Sequence, residues 1–334
     1  MFNLKKKWMT GLVAMALTFT LTACGGGAAK DSGSNTSKDG GGESLVIGFS
    51  QATLESPFYT SLVDGAKAEA KKENAELIVV DAQNDIEKQN TDVQSLITKG
   101  IDVLLINPVN PSAVAPALKA AKTAGIPVIT VDRQTKEDVV SYIGRDNVEM
   151  GRLAGEKAVE LLGGKGATGK VIELQGDAGG TVMKARHDGF HEVVEKEKGI
   201  KIIEGPYSEY IRAKAVSSMQ DLLQAHPDVK LVYAHNDDMA LGAMKVLEQA
   251  GKLKDVKIVG IDGLMEAVKK IEAGTFHATV INDPISLGTL AIQTAIKTGN
   301  GEDVEKVMNA DTGLIDDKNA TNYVDDSKKF AEIK

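Results

Sequence analysis

Polar side chains follow most of the short apolar segments of this sequence, where they could bind a small ligand. The residues at the ends of these segments are Ser50, Asn107, Asp132, Arg133, Asp177, Asn236 and Asp262. Short segments rich in Val and Ile suit the strands of a parallel sheet that is covered on both faces. Because ligands of open parallel sheets bind outside the carboxyl ends of the strands, this pattern predicts a binding site lined by amides, carboxylates and a guanidinium.

This mixture of polar groups suits a small polyhydroxylated ligand such as a sugar. A carboxylate accepts hydrogen bonds from two hydroxyls, an arginine donates through its planar fork, and an asparagine both donates and accepts. Aromatic rings can cover the apolar face of a sugar ring, and Phe58, Tyr59 and Tyr210 are available for that contact. A structural alternative stays open, in which Asp132 and Arg133 form an ion pair that closes the end of their strand.

The elements that must position these groups alternate between strands and helices. The predicted strands span 45–49, 77–80, 103–106, 127–131, 170–174, 201–203, 231–234 and 257–261. Helices are predicted to begin at Ser56-Pro57 and Asn110-Pro111, where an N-capping residue precedes a proline. The alternation predicts right-handed crossovers and doubly wound α/β sheets. Because it resumes after "GRDNVEMG" at 144–151, we expect two α/β lobes in tandem.

The N-terminal segment has the pattern of an export signal rather than of the folded protein. Three lysines precede the apolar stretch "WMTGLVAMALTFTL", which is short for a membrane span. With "LTAC" ending at Cys24, residues 1–23 resemble a bacterial lipoprotein signal peptide, which implies cleavage before Cys24 and a lipid on its thiol. An ordinary signal peptide with an incidental cysteine is the alternative. Residues 24–43 are rich in Gly, Ser, Asp and Lys, which predicts a flexible tether.

Composition and motifs argue against several other classes of protein. The formal charge of −8 disfavours nucleic acid as a partner, and the mean hydropathy of −0.14 excludes a polytopic membrane protein. The stretch 164–170 has the glycine spacing of a phosphate-binding loop, but Val171 follows it and it precedes a strand. His187 and His191 have the i, i+4 spacing of metal ligands, but without a nearby third ligand a solvated helix face is favoured. We therefore expect no catalytic residue, no cofactor and no metal.

Several longer motifs resemble one known family. These are "PFYTSLVDGAKAEA", "LLINP", "IPVITVDRQ", "VIELQG", "AHPDV", "AHNDDMALGA" and "VGIDG", in the order and spacing of the ribose-type solute-binding proteins of bacterial ABC sugar importers. The resemblance covers nearly all of residues 45–315. It implies a type I periplasmic binding protein fold, in which two lobes joined by three crossovers close over a monosaccharide. The implied lobes are 44–145 with about 283–311 and 146–282 with about 312–334, with hinges near Asp146, Asn282 and Thr312.

The resemblance also implies a set of ligand contacts. The positions that match the family's sugar contacts are Ser50, Phe58, Asn107, Asp132, Arg133, Arg186, Asn236 and Asp262. The positions that depart from the ribose-specific pattern are Ser56, Arg145, Asp177, Tyr210, Ile261 and Asn282. We include all of these except Ile261 in the predicted site, together with Tyr59. Open alternatives are that Ser56 is only an N-cap, that Phe58 is only a core residue, and that Arg145 and Asp177 pair with each other at the cleft rim.

The predicted function is that of an exported, lipid-anchored solute-binding protein. Its expected partners are a monosaccharide, an ABC permease and, through the permease, an ATPase. The sugar is ribose or a related pentose, hexose or polyol. The chain is expected to act as a monomer on the outer face of the cytoplasmic membrane, without binding nucleic acid. Alternatives are a sensor subunit that signals to a membrane receptor without import, and a sugar-modifying enzyme. A sugar-regulated repressor is set aside, because this chain has a signal peptide and a tether where a repressor has a DNA-binding head.

Overall fold

The structure is a computed structural model that describes residues 44–333. The predicted signal peptide, the tether and Cys24 lie outside the described residues, as does Lys334. Between residues 44 and 333, no helix combines the length and the apolar character that crossing a membrane requires.

The first of two sheets contains six parallel strands. These are β1 (Val46–Gln51), β2 (Glu76–Asp81), β3 (Val103–Ile106), β4 (Val128–Val131), β5 (Ser141–Arg145) and β11 (Val307–Ala310), in the spatial order β11-β5-β4-β3-β1-β2. The helices that pack on it are α1 (Pro57–Lys72), α2 (Ile86–Thr98), α3 (Ala115–Thr123) and α9 (Pro284–Gly299). We refer to this sheet and its helices as the first lobe.

The second sheet also has six strands, of which only the edge strand β12 runs antiparallel to its neighbour. These are β6 (Thr168–Gln175), β7 (Gly199–Tyr207), β8 (Val229–Ala234), β9 (Lys257–Asp262), β10 (Ala278–Ile281) and β12 (Leu314–Asp316), in the order β12-β10-β9-β8-β6-β7. Its helices are α4 (Asn147–Leu161), α5 (Thr181–Val194), α6 (Arg212–Ala225), α7 (Asp237–Gln249) and α8 (Met265–Glu272). We refer to this sheet and its helices as the second lobe.

Apolar strands form the core of each lobe. Ile47 and Phe49 in β1, and Ile172 and Leu174 in β6, have no exposed surface. Helices cover both faces of each sheet, so neither face of these strands meets water and the strands read as continuous apolar runs. The polar residues that follow them therefore collect at the carboxyl edge of each sheet.

The described chain passes between the two lobes three times. It leaves β5 for α4 at 145–147, leaves β10 for α9 at 281–284, and returns from β11 to β12 at 310–314. Asp146, Asn282 and Thr312, the predicted hinge residues, lie in these three segments. The Thr312 hydroxyl donates to the Ile281 carbonyl at 2.7 Å, which ties the second and third segments together.

Of the two predicted helix starts, the one at Ser56-Pro57 is observed and the one at Asn110-Pro111 is not. Ser56 occupies the N-cap position of α1 with Pro57 directly after it. Asn110 instead accepts backbone hydrogen bonds from Ser112 and Ala113, both at 3.0 Å, in a turn that precedes α3. Asparagine stabilises such turns as readily as it caps helices, so α3 begins at Ala115 rather than after Pro111.

Glycines set the close approach of α4 and α5 in the second lobe. A methyl group on Gly151 would collide with the backbone carbonyl of Arg186, and one on Gly189 would collide with the carbonyl of Val148. The same added Cβ on Gly189 would lie 2.9 Å from the Arg152 backbone nitrogen. The absence of side chains at this contact therefore allows α5, the helix that carries Arg186, to pack closely against α4.

Replacing Gly189 with Ala should lower the free energy of unfolding, although Ala favours a helix over Gly by about 1 kcal/mol. Overpacking against a backbone that cannot yield costs about 1–3 kcal/mol, so the steric cost outweighs the gain in helix propensity. Urea denaturation measures the change. Gly313→Ala is the control, because its added Cβ meets only the Ile333 side chain at 3.6 Å. A Gly189→Ala variant as stable as the wild type would show that α4 and α5 can move apart.

Candidate ligand-binding site

A small cavity lies between the carboxyl edges of the two sheets. Both lobes contribute side chains to it. The residues that line it are Ser56, Phe58, Tyr59, Asp132, Val182, Arg186, Tyr210, Asn236, Asp262 and Asn282. All of these except Val182 belong to the predicted site.

Asp132 is the carboxylate that the first lobe contributes. It follows β4 in the left-handed conformation, with φ of 66°, and is almost fully buried. Asn107 donates to its Oδ2 at 3.4 Å, and the Tyr142 hydroxyl donates to its backbone carbonyl at 3.1 Å. Burial raises the pKa of Asp132, and this outweighs the nearby Arg133 and Arg186, which lower it. A strained backbone and a buried carboxylate together are features that collect at functional sites.

Asp262 is the corresponding carboxylate of the second lobe. It ends β9 with φ of 127°, a conformation that favours glycine. Asn282 donates to its Oδ1 at 3.0 Å, and the Arg186 guanidinium lies 3.8 Å from the same oxygen. Burial raises the pKa of Asp262 to about 7 despite these two partners, which favour the ionised form.

Arg186, on α5, contributes a guanidinium to the wall of the cavity. Its Nε donates to the Asn147 side chain at 2.9 Å, and its Nη1 donates to the backbone carbonyl of His235. The guanidinium also lies 5.9 Å from the centre of the Tyr210 ring. These contacts fix the orientation of Arg186. Its guanidinium therefore lies near Asp262, but at 3.8 Å it does not form a short ion pair with it.

Aromatic rings enclose the cavity. Phe58 and Tyr59 on α1 pack edge to face with ring centres 5.5 Å apart, and Tyr210 enters from the second lobe in the left-handed conformation with φ of 60°. The Tyr210 ring lies directly on Gly176, where any side chain would collide with the ring. Phe58 is buried and also forms part of the cavity wall, so it is a core residue and lines the cavity at the same time.

Arg133 and Asp177 connect the two lobes behind Tyr59. Their closest atoms, Nη2 and Oδ2, are 3.5 Å apart, and Arg133 also donates to the Tyr59 hydroxyl at 2.9 Å. The predicted alternative of an Arg145–Asp177 pair is wrong. Arg145 instead donates to the Asn282 side chain and the Ser286 hydroxyl, both at 3.0 Å. The reason is the position of the two residues. Arg145 ends β5 of the first sheet beside the crossing to α9, whereas Asp177 follows β6 of the second sheet.

Ser50, Asn107, Arg133, Arg145 and Asp177 do not line the enclosed cavity itself. Ser50 and Asn107 lie below Asp132, and sequence reasoning missed the residue that links them. That residue is Gln89 on α2, which donates to the Ser50 hydroxyl at 3.3 Å and to the Asn107 carbonyl at 2.9 Å. No sequence signal distinguishes Gln89 from other polar residues of its helix.

Several buried polar atoms of the predicted site make no hydrogen bond within residues 44–333, and two of them, on Ser56 and Tyr210, belong to residues that line the cavity. They are Ser56 Oγ, Asn107 Oδ1, Arg133 Nε, Asp177 Oδ1 and the Tyr210 hydroxyl oxygen. Buried polar groups are hydrogen-bonded in more than nine cases in ten, so a group of such atoms at one place is unusual. Ser56 therefore does not act as a side-chain N-cap, and its hydroxyl remains available to a ligand.

The predicted solvated face of His187 and His191 is wrong. Both rings lie within hydrogen-bonding distance of Glu173, which has no exposed surface. Glu173 lies on β6, where the strand pattern "KVIEL" gave no sign that its side chain would face α5. Glu173 thus adds a third potential metal ligand to the two histidines, from a strand rather than from the same stretch of sequence.

Two lobes of parallel sheet, connected by three crossings around an enclosed polar cleft, define a two-lobed solute-binding protein. The profile of the periplasmic binding protein domain matches residues 47–303, and this chain belongs to that family. The predicted type I periplasmic binding protein fold is thereby confirmed, as is the resemblance that the sequence motifs indicated. Periplasmic binding proteins are exported proteins.

Two relatives of named function and one solved structure match most of the chain. The ribose import binding protein of Escherichia coli is 40% identical over 311 residues, which cover 93% of this chain and 98% of the relative. That of Bacillus subtilis is 37% identical over 306 residues, which cover 91% and 97%. An ABC transporter solute-binding protein from Mycobacterium smegmatis, solved with bound glycerol, is 55% identical with a TM-score of 0.84, and the match covers 87% of this chain and all of that one.

Proposed function

We propose that this protein captures a monosaccharide or a related polyol between its two lobes and delivers it to an ABC permease. The observation that carries the proposal is one cavity with two buried carboxylates, Asp132 and Asp262, and two unpartnered buried hydroxyls, those of Ser56 and Tyr210, in its wall. Hydroxyl groups of a sugar both donate and accept, so they can satisfy the carboxylates and the hydroxyls of this wall at the same time. The ribose import relatives and the glycerol-bound structure support a ligand of this class.

Each lobe contributes a defined part of the proposed contact set. Asp132 of the first lobe accepts from ligand hydroxyls, while Phe58 and Tyr59 cover an apolar face of the ligand. Arg186 and Asn236 of the second lobe complete the contacts together with Asp262. Asn236 also caps α7 through its Oδ1, which accepts from the Met239 backbone nitrogen at 2.9 Å. Its orientation is thus fixed before the ligand arrives.

Tyr210 and Asp177 set this site apart from the ribose-specific pattern. Both carry a polar atom, the Tyr210 hydroxyl and Asp177 Oδ1, that has no hydrogen-bond partner among residues 44–333. Of the two, Tyr210 lines the cavity, so a ligand that fits must bring a polar group to its hydroxyl. This requirement extends the candidate ligands from ribose to other pentoses, hexoses and polyols.

Closure of the lobes accounts for ligand capture. A ligand shifts the equilibrium toward the closed state by its additional contacts in that state. We propose lobe boundaries at 44–145 with about 283–311 and at 146–282 with about 312–334, and bending at Asp146, Asn282 and Thr312. The protein is proposed to act as a monomer without chemical conversion of its ligand. A lipid on Cys24 and the tether 24–43 would hold it at the outer face of the cytoplasmic membrane.

Isothermal titration of the purified protein against pentoses, hexoses and polyols tests the binding function. Tryptophan fluorescence is unsuited to this test, because the only tryptophan, Trp8, lies in the predicted signal peptide. We expect micromolar or tighter binding for at least one compound. If every compound binds only at millimolar concentration, the proposed function is wrong.

The population of the closed, ligand-free state should decrease as the pH rises. Asp262 has a pKa of about 7 in this closed arrangement, against an ordinary value of 3.8. Below the ordinary value the carboxyl is protonated whether the lobes are open or closed, so closure costs nothing. Between the two values closure takes up a proton, and above about 7 it buries a charge. The full cost is about 4 kcal/mol, because one pKa unit corresponds to about 1.4 kcal/mol.

Small-angle X-ray scattering of the ligand-free protein measures this effect. We expect a smaller radius of gyration at about pH 5 than at about pH 8. Burial also raises the pKa of Asp132, so the dependence should weaken in Asp262→Asn and weaken further when Asp132→Asn is added. A pH dependence that is unchanged in the double variant would assign it to other groups.

A further inference from the structure

Three histidines surround one buried carboxylate where α5 faces β6. Glu173, on β6, lies 3.1 Å from His187 Nδ1, 3.0 Å from His191 Nε2 and 2.8 Å from His235 Nε2. The His187 and His191 rings come from successive turns of α5, and their centres are 3.8 Å apart. None of these side chains belongs to the proposed ligand contacts.

Glu173 is an unusual residue for this position. Its side chain has no exposed surface, and its ion-pair partners among residues 44–333 are the three histidines, without lysine or arginine. A buried carboxylate is costly unless positive charge or hydrogen bonds compensate it. The compensation here comes entirely from imidazole groups, which are also the side chains that bind transition metals most often.

Two of the histidines make a second contact besides the one to Glu173. His235 Nδ1 lies 3.4 Å from the Gly176 backbone N–H, so this nitrogen accepts and Nε2 carries the proton that Glu173 accepts. The His191 ring lies between two carboxylates, with Nδ1 2.9 Å from Glu195 and Nε2 3.0 Å from Glu173. A cation bound to His191 Nε2 would replace the proton between this nitrogen and Glu173, because metal binding to imidazole releases protons.

We propose that Glu173, His187 and His191 bind a divalent transition-metal cation, with Zn²⁺ as the best fit. Their ligand atoms all lie within 4.8 Å of one another, and the site is empty. Two imidazoles and one carboxylate form a common zinc ligand set, with bonds of about 2.0–2.2 Å. Binding requires the two rings on α5 to turn until all three atoms lie at that distance from one point.

The surroundings supply the supporting contacts that metal sites have. Glu195 orients His191 from behind, and His235 orients the Glu173 carboxylate, as partners of metal ligands usually do. The His187 side chain is about one quarter exposed, at 25%, and it lines a groove that also includes Gln175 and Glu204. A cation can therefore enter from solvent, and water can complete its coordination.

Metal titration of the full chain, purified without a histidine tag and treated with a chelator, tests the proposal. We expect one Zn²⁺ per chain by isothermal titration, and visible absorption bands of low-symmetry coordination when Co²⁺ replaces Zn²⁺. The His187→Ala, His191→Ala and Glu173→Gln variants should lose this binding. Glu195→Gln, which removes only a supporting contact, should weaken it about 10–100-fold.

His226→Ala is the matched control, because His226 lies outside this group and should leave the stoichiometry and affinity unchanged. Glu173→Gln and each histidine variant are first checked for a native circular dichroism spectrum. If Glu173→Gln does not fold, the single histidine variants decide the outcome, since both side chains are partly exposed. The proposal is overturned if the wild type binds no Zn²⁺, or if folded His187→Ala and His191→Ala variants bind it as tightly as the wild type. Sugar binding is not required for either result, so failure here leaves the proposed function standing.

Discussion

Replacing Asp132 with Asn should weaken ligand binding by about 100-fold or more without destabilising the protein. A carboxylate accepts two charge-assisted hydrogen bonds from ligand hydroxyls, each contributing about 1.5–3 kcal/mol. A loss of about 3 kcal/mol corresponds to about 100-fold in the dissociation constant. Asn retains the size of Asp and also tolerates the left-handed backbone that position 132 adopts, with φ of 66°.

Stability should respond in the opposite direction from affinity in this variant. Because burial raises the pKa of Asp132, the ionised carboxylate is unfavourable in the closed ligand-free state, and a neutral amide removes that cost. Thermal denaturation should therefore show an unchanged or higher midpoint, while isothermal titration shows weak binding. Asp81→Asn is the control, since Asp81 also ends a strand, β2, but does not line the cavity. Wild-type affinity in Asp132→Asn would show that the carboxylate is structural.

Short runs of Val, Ile and Leu predicted eight strands, while the missed strands are less apolar or very short. All eight predicted strands correspond to observed ones, from β1 to β4 and from β6 to β9. The strand β5 was missed because "SYIGR" contains Ser, Gly and Arg. The edge strands β11 and β12 have three or four residues that mix polar with apolar side chains. The strand β10 was missed although it has the length and burial of β3 and β4.

The strand-end rule predicted which polar residues would gather at the cleft, but not which would pair. It placed Asp132 at the carboxyl edge of one sheet and Asn236 and Asp262 at the carboxyl edge of the other, because a parallel sheet brings its strand ends together. It could not show that Asp177 would meet Arg133 rather than Arg145, since that depends on how the two lobes face each other. The contact of Glu173 with His187 was missed for a similar reason, because it joins a strand and a helix that follow different periods.

Replacing Arg186 with Met should reduce both stability and ligand binding, because this guanidinium serves the fold as well as the cleft. The side chain is buried and donates to the Asn147 side chain and the His235 carbonyl. Met fills most of the apolar volume but leaves these acceptors and Asp262 without their donor. Removing one partner from a buried charged group costs about 3–5 kcal/mol, which is a large part of the stability of an ordinary domain.

The pH dependence of that loss separates a charge effect from a packing effect. Without Arg186, which favours the ionised form of Asp262, the pKa of this carboxyl rises further above its value of about 7. At about pH 5 the carboxyl is then protonated in the folded state and needs no cationic partner. Arg186→Met should accordingly lose less stability at about pH 5 than at about pH 8, as measured by urea denaturation at both values.

Two further variants complete this test. Adding Asp262→Asn to Arg186→Met should recover part of the lost stability at about pH 8, because the buried charge is then absent. Arg212→Met is the matched control, since Arg212 is partly exposed and pairs with Asp238 and Glu266 near the surface. Its loss should cost no more than about 1 kcal/mol. An equal loss of stability at both pH values, with no recovery in the double variant, would mean that Arg186 stabilises the protein through packing alone.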